Sequence, residues 1–405
     1  MTLGARTYIA GDIRGGSAPP PVPLRNDPAF RALLYQLALL AALLYFGYQF
    51  ALNAQVNLRA QGIGSGFGFL VNSAGFGVNQ SLIPYNESDS YGRVFLVGLV
   101  NTLLVAGIGI VLATLVGFLI GIARLSPNWL LARLAGAYVE LIRNLPLLFQ
   151  ILFWYLAVLG ALPSPRQSIA LWGDIFLNNR GLILPMPVGG DGAGYVVIAL
   201  ALGVLATLAL AIIAKRRQAR TGRQLPLLRC AFLLIIGLPL ATLLATGVPI
   251  HFEKPELRGF NFVGGLRLIP EFVALVLALT LYTGAFIAEI VRAGILAVPR
   301  GQTEAALALG LRRGLMLRLV VVPQALRVIV PPLTNQYLNL TKNSSLAIAI
   351  GYPDLFAVFA GTTLNQTGQA IEIIGITMAV YLAISLVTSL VMNWYNARIA
   401  AVERR

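Results

Sequence analysis

One cysteine, Cys230, and one histidine, His251, are all that 405 residues contain of the two side chains that most often ligate zinc or form a nucleophile–base pair. A disulfide framework, a Cys/His zinc site and a Cys/His catalytic pair within one chain are therefore excluded. Charge is scarce too: Asp, Glu, Lys and Arg together make 11% of the chain, with 15 acids against 30 Lys and Arg. No G-x-x-x-x-G-K-S/T stretch occurs, so the chain has no phosphate loop to hold a nucleotide. Nor does a short apolar core with a small-residue cleavage site directly follow Met1, as in a signal peptide.

What fills the chain is apolar: 58% hydrophobic residues and a mean hydropathy of +0.79. That balance is outside the range of soluble domains and predicts an all-α integral membrane protein. A basic chain of net charge +15 invites a nucleic-acid reading. Here, however, the cations cluster beside apolar runs, as the retention of Lys and Arg on the cytoplasmic face requires, so no nucleic-acid partner is expected. The polar, Gly- and Pro-bearing segment Met1–Asn26 is expected to be a disordered tail.

About eight spans are expected, each near 20 residues. The first, about Leu33 to Ala51, follows Arg25 and Arg31, which places the N-terminus in the cytoplasm. A Gly-rich loop follows outside, and then spans near Val94–Ile122, Tyr138–Leu162 and Tyr195–Ala214. The last of these reaches KRRQARTGR at Lys215–Arg223, a run of cations that is retained in the cytoplasm. Spans near Cys230–Gly247 and Phe272–Ala288 lead back to cytoplasmic Arg292 and Arg300. The final span, near Ile371–Trp394, ends at Arg398, Arg404 and Arg405, so the C-terminus is cytoplasmic as well. Parity then requires one outward crossing between Arg318 and Ile371.

That crossing carries Pro323, Pro331 and Pro332 and the polar run Asn335, Gln336, Asn339, Lys342. The prolines predict a broken helix, because each removes a backbone hydrogen bond. The polar residues recur at three- and four-residue spacing and share one face, which cannot point at lipid. Two readings stay open: polar glue between helices, or the lining of a path for a small polar solute. Two Glu-x-x-Arg pairs, Glu140 with Arg143 and Glu289 with Arg292, sit at inner ends of spans. They read either as local ion pairs or as a cross-helix clamp joining Glu289 to Arg143.

Glu304–Arg318 is too short and too charged to span. It reads as a compact cytoplasmic helix that either docks another protein or lies flat on the membrane. Without a nucleotide site, any energy from ATP must come from a partner.

EAALALG at Glu304–Gly310, followed by VVVP at Val320–Pro323, resembles the EAA loop of ABC importer permeases. YVELIRNLPLLFQ (Tyr138–Gln150), ALTLYTGAFIAEIVRAGI (Ala278–Ile295) and PPLTNQYLNLTKNSSLAIAIGYPDL (Pro331–Leu355) are similar to the polar amino acid permeases. The match is to the histidine, glutamine and general L-amino acid types, and above all to the larger subunits of the last. The resemblance implies a five-helix type I permease core, with an N-terminal helix and a two-helix insertion added. The expected division is a tail at 1–30, first helix and external loop at 31–91, first core part at 92–162, insertion at 163–269, second core part at 270–397 and a tail at 398–405.

The same resemblance implies Glu304, Ala305, Ala306 and Gly310 as ATPase-coupling residues. Gln150 and Tyr282, in the matching segments, join Asn335, Gln336, Asn339 and Lys342 as the expected substrate path. The implied partners are a second permease (homologous or another copy), an ATPase dimer carrying ATP and Mg, and an external amino-acid-binding protein. The implied setting is the bacterial inner membrane, and the cargo an L-amino acid. A self-sufficient secondary carrier or channel is the rival reading.

Overall fold

Small residues set the geometry of the core. In the computed structural model, which describes residues 28–60, 66–189, 193–221, 225–246 and 250–401, helix α2 (Tyr91–Ala123) crosses helix α8 (Pro270–Leu296) with Gly117 and Gly121 at the contact. A Cβ on Gly117 would lie 2.5 Å from Ile287 Cβ, and one on Gly121 would lie 2.8 Å from the Ala288 carbonyl oxygen. In return, Gly284 of α8 takes up Val116. Between helices in lipid there is little hydrophobic drive, so backbone approach of this kind is what dispersion and close packing can use. The buried residues of α8, among them Leu275, Leu279, Ile287 and Val291, make it the central helix of the core.

Two units are distinguished, Met1–Gly66 and Phe67–Arg405. The first contains helix α1 (Pro28–Ala60), whose large side chains from Leu33 to Phe50 are exposed along its length, as on a helix facing lipid. The tail expected at Met1–Asn26, and Arg404 and Arg405, lie outside the described residues.

In the second unit, helix α3 (Trp129–Asn144) and helix α4 (Leu147–Leu152, continued as a π turn over Phe153–Leu159) meet at an angle of 108°. The span expected near Tyr138–Leu162 thus takes the form of a bent pair. Pro146, at the N-cap of α4, has no N–H to continue the ladder, and Leu145 before it is driven into the extended region.

The insertion adds strands to the all-helical expectation. Strands β1 (Ile169–Trp172), β2 (Ile175–Asn178), β3 (Gly181–Leu184) and β4 (Met186–Gly189) precede helix α5 (Ala193–Thr221). Helices α6 (Leu227–Phe232) and α7 (Leu238–Thr246), joined by a π turn, bring the chain back to β5 (Ile250–Glu253), β6 (Glu256–Arg258), β7 (Asn261–Val263) and β8 (Leu266–Leu268). The sheet order is β1-β2-β3-β8, with Leu182 opposite Leu268 and Leu184 opposite Leu266; β4 pairs with β5, and β6 with β7, all antiparallel. Because β3 and β8 belong to one sheet, the chain leaves that sheet through β4 and α5 and comes back to it through α6, α7 and β5–β7.

After α8 come α9 (Arg300–Ala308), α10 (Arg313–Met316), a π turn, α11 (Val322–Asn343), a 3₁₀ stretch over Ser344–Ile350, a π turn over Phe356–Thr363, α12 (Leu364–Thr367) and α13 (Ala370–Ala401). Pro331 and Pro332 lie inside α11, and the helix continues through both, which corrects the break expected there. Its regular hydrogen bonding changes instead at its ends, Leu317–Val321 and Ser344–Ile350. Among the described residues six helices are long and apolar enough to cross a membrane, and the bent pair makes a seventh. The fifth expected span, near Cys230–Gly247, is a shorter apolar helix over Arg229–Ala245.

Gly117→Ala is expected to destabilise the detergent-solubilised protein by about 1–3 kcal/mol through overpacking against Ile287. Gly107→Ala, where nothing lies within 4 Å of the new methyl, should be neutral or slightly stabilising. Thermal unfolding of the two variants side by side checks this, and equal melting temperatures would contradict the packing account.

Candidate functional site

At the C-terminal ends of α2 and α8, Glu289 accepts from two arginines. Arg292 Nη2 donates to Glu289 Oε1 at 2.5 Å within α8, and Arg124, the C-cap of α2, donates to Glu289 Oε2. The Glu289–Arg292 spacing is realised as a local pair, and the cross-helix partner of Glu289 is Arg124 rather than Arg143. Arg143 lies over the Phe286 ring, 5.0 Å from its centroid, a cation–π contact between α3 and α8. Glu140 is exposed, forms no ion pair with Arg143, and contributes its backbone carbonyl to the Asn144 side chain.

Gln150 is buried in the bend between α3 and α4. Its Nε2 donates to the carbonyls of Ile142 and Leu145, both at 3.0 Å, satisfying acceptors that the break leaves free. Its Oε1 is buried without a partner. Tyr138 ties the same helix pair to the core by donating to the Leu281 carbonyl at 2.7 Å. Tyr282, half-buried, packs its ring 5.0 Å from that of Phe286.

Helix α11 has two unlike faces. Leu333, Leu340 and Thr341 are buried, and the Tyr337 hydroxyl meets Thr114 of α2 at 2.9 Å. Pro332, Asn335, Asn339 and Lys342 are exposed at three- and four-residue spacing, with Gln336 half-buried beside them. Among the described residues of the second unit, none covers that polar stripe. Lys342 opens onto a recess of about 410 Å³ shared with Ser345, Phe356, Thr377, Tyr381 and Ser385.

Asp354 takes no part in holding Lys342. Fully buried in the link after α11, it accepts at Oδ1 from the Ala357 N–H at 2.8 Å and at Oδ2 from the Tyr381 hydroxyl at 3.3 Å. Burial pushes its carboxyl up to about 7, against the lowering effect of those hydrogen bonds. The same link is held to α2: Asn101 Nδ2 donates to the carbonyls of Pro353 at 2.8 Å and Gln80 at 2.9 Å, and Thr102 Oγ1 accepts from the Leu355 N–H at 3.0 Å.

The helix that bears Glu304 ends in a specific stop. Gly310 has φ +78°, its N–H bonds the Leu307 carbonyl, and the Leu311 N–H reaches back to Ala306. This is a Schellman cap, in which glycine occupies the left-handed position without a Cβ penalty. Ala306 is buried, whereas Glu304, Ala305 and Ala308 are exposed and Leu309 is 83% exposed. The Gln324 amide meets Gln302 at 3.5 Å, linking α9 to the start of α11.

These features have counterparts in known proteins. Residues 221–401 match the family described as binding-protein-dependent transport system inner membrane component. YhdX of Escherichia coli (strain K12), which carries the name of an amino-acid ABC transporter permease, is 55% identical over 93% of this chain and 96% of its own. The general L-amino acid transport system permease AapQ of Rhizobium johnstonii is 53% identical over 93% and 94%. BztB of Rhodobacter capsulatus, a glutamate/glutamine/aspartate/asparagine transport system permease, is 44% identical over 93% and 96%. This chain belongs to the amino-acid ABC transporter permeases. Since each alignment runs nearly end to end, the helices beyond a five-helix core are part of what this permease shares with them.

Several structural roles in the permease were not anticipated from sequence. Arg124 stands in the sequence only as a cation after an apolar run, and Asn101 and Thr102 as one adjacent polar pair in an apolar span. GFLIG at Gly117–Gly121 does carry a legible signal, a G-x-x-x-G pair in a membrane helix.

Asp354 yields a pH prediction. Its native pKa lies above the ordinary 3.8, so folding takes up a proton between about pH 4 and pH 7. Its contribution to stability is fully present below that window and is lost as pH rises through it. Melting temperatures of the wild type should fall relative to Asp354→Asn between pH 5 and pH 8; parallel curves would contradict the burial argument.

Proposed function

We propose that this permease is the membrane subunit of an ATP-driven importer of L-amino acids, placed in the bacterial inner membrane with both termini cytoplasmic. Binding of ATP and Mg by a separate ATPase pair would bring two docking helices together, one from this chain and one from a second permease or a second copy. The path would then open outward to a loaded amino-acid-binding protein, and hydrolysis would reset it.

One observation carries this reading. The Gly310 cap stops α9 with Glu304, Ala305, Ala308 and Leu309 uncovered, and α10 and a π turn connect it directly to the polar-faced α11. A nearly bare leucine and two alanines beside a carboxylate form a surface that suits a cleft in a partner protein. Displacement of α9 would be passed to the stripe Asn335, Gln336, Asn339 and Lys342, which we assign to the substrate path with Tyr282. Lys342 suits a carboxylate of the solute. Gln150 belongs to this machinery as the brace of the bent pair, and Glu289, Arg292 and Arg124 as the clamp at the inner end, beside Glu140 and Arg143.

Reconstitution with the ATPase and the binding protein tests the reading. Glu304→Lys should cut uptake and binding-protein-stimulated hydrolysis together, by about tenfold or more, with membrane insertion and melting temperature unchanged. Gly310→Val should do the same at a folding cost of roughly 1–2 kcal/mol from the left-handed backbone. Coupled uptake retained in Glu304→Lys would remove the docking claim. Transport by the permease alone under an ion gradient would instead favour a secondary carrier.

A further inference from the structure

The strands of the insertion enclose a small basic recess that the transport path does not use. It lies between the β2–β3 turn and the β7–β8 segment and is lined by Asn178, Arg180, Asn261 and Arg267, with Pro165 and Phe262. Its construction is specific. Asn178 is fully buried, accepts the Arg180 backbone N–H at 2.8 Å and donates to Ser168 at 2.9 Å, which fixes the turn that presents Arg180. Arg180 Nη1 donates to Asn261 Oδ1, and Arg267 Nε donates to the Arg180 carbonyl at 3.3 Å. Each guanidinium carries five N–H groups, so these bonds orient both side chains and leave further donors free to turn to the recess.

Two positive groups share this recess, and among the described residues no carboxylate lines it. Other described charges of the strand region are engaged elsewhere: Lys254 with Asp174 at 2.9 Å, Arg258 with Glu256 at 3.2 Å, and Arg166 over the Phe260 ring at 3.8 Å. Glu253 approaches Gly264 without lining the recess or pairing with either arginine. Like charges held together are unfavourable in themselves, and a planar carboxylate is the group that two guanidinium forks bind best.

Size decides what brings that carboxylate. The recess holds about 20 Å³, room for roughly one water-sized group. Sites for whole small molecules run to about 300–1,000 Å³. A free amino acid therefore does not fit, whereas the tip of an Asp or Glu side chain presented by a protein does. The sheet brings both loops together, and the cation count of the flanking segments puts them on the outer side of the membrane.

We propose that Arg180 and Arg267 form a receptor for an acidic side chain of the external amino-acid-binding protein, so that the inserted sheet is a docking surface for that subunit. The inference rests on the importer reading above. The test is reconstituted permease with its ATPase, titrated with purified binding protein. Arg180→Gln/Arg267→Gln should raise the binding-protein concentration for half-maximal uptake by about tenfold or more, leave the maximal rate near that of wild type, and flatten its dependence on ionic strength. Arg180→Lys/Arg267→Lys should recover part of the loss, and Lys254→Gln, outside the recess, should behave as wild type. Unchanged titration and salt dependence in the double Gln variant would overturn the receptor. So would direct binding of free amino acid to the isolated permease that the double variant abolishes. Failure of any binding protein to stimulate the wild type would refute the importer reading itself.

Discussion

The close crossing of α2 and α8 is the contact on which the rest of this permease depends. In a bilayer a leucine gains little by leaving lipid for a neighbouring helix, so association rests on packing density and a few polar bonds. Gly117 and Gly121 let the two backbones approach until Ile287 and the Ala288 carbonyl fill the space that side chains would need. Polar contacts then fix both ends of the same helix. Arg124 on Glu289 ties the C-terminal end, and Asn101 and Thr102 hold the Tyr352–Leu355 link toward the other. Tyr138 and Arg143 attach the bent α3–α4 pair to α8.

Around that frame the proposed moving parts are those with least cover. Helix α9 exposes most of its surface, and the polar stripe of α11 is left uncovered by the described residues of its own unit. A face of amides and an ammonium cannot be left to hydrocarbon, so another subunit or water must meet it. The irregular turns at both ends of α11, rather than its internal prolines, are where the helix can change direction at low cost.

Sequence reading succeeded where the signal was local. Apolar runs located the membrane helices, but the compact helix expected over Glu304–Arg318 is cut at Gly310, whose left-handed backbone ends α9 at Ala308 before α10 begins at Arg313. It fell short where structure depended on distant partners. The pairing of β3 with β8 joins strands separated by three helices, and neither run, of four and three residues, carries a pattern of its own. The family-like segment singles out Gln150 but not the bonds of its amide, which go to the Ile142 and Leu145 carbonyls freed at the Pro146 bend. Pro331 and Pro332 promised a break that α11 does not show, since neighbouring turns carry the irregularity instead.

The central claim is that motion received at α9 changes access to the polar face of α11. The most direct measurement places a single cysteine at Asn339, after Cys230→Ser, in the full transporter and follows labelling by a membrane-impermeant thiol reagent added outside. Labelling should be slow in the nucleotide-free state and rise when ATP is bound and hydrolysis is blocked, and Gly310→Val should abolish the rise. Identical labelling in both states, or a rise that survives Gly310→Val, would contradict the account.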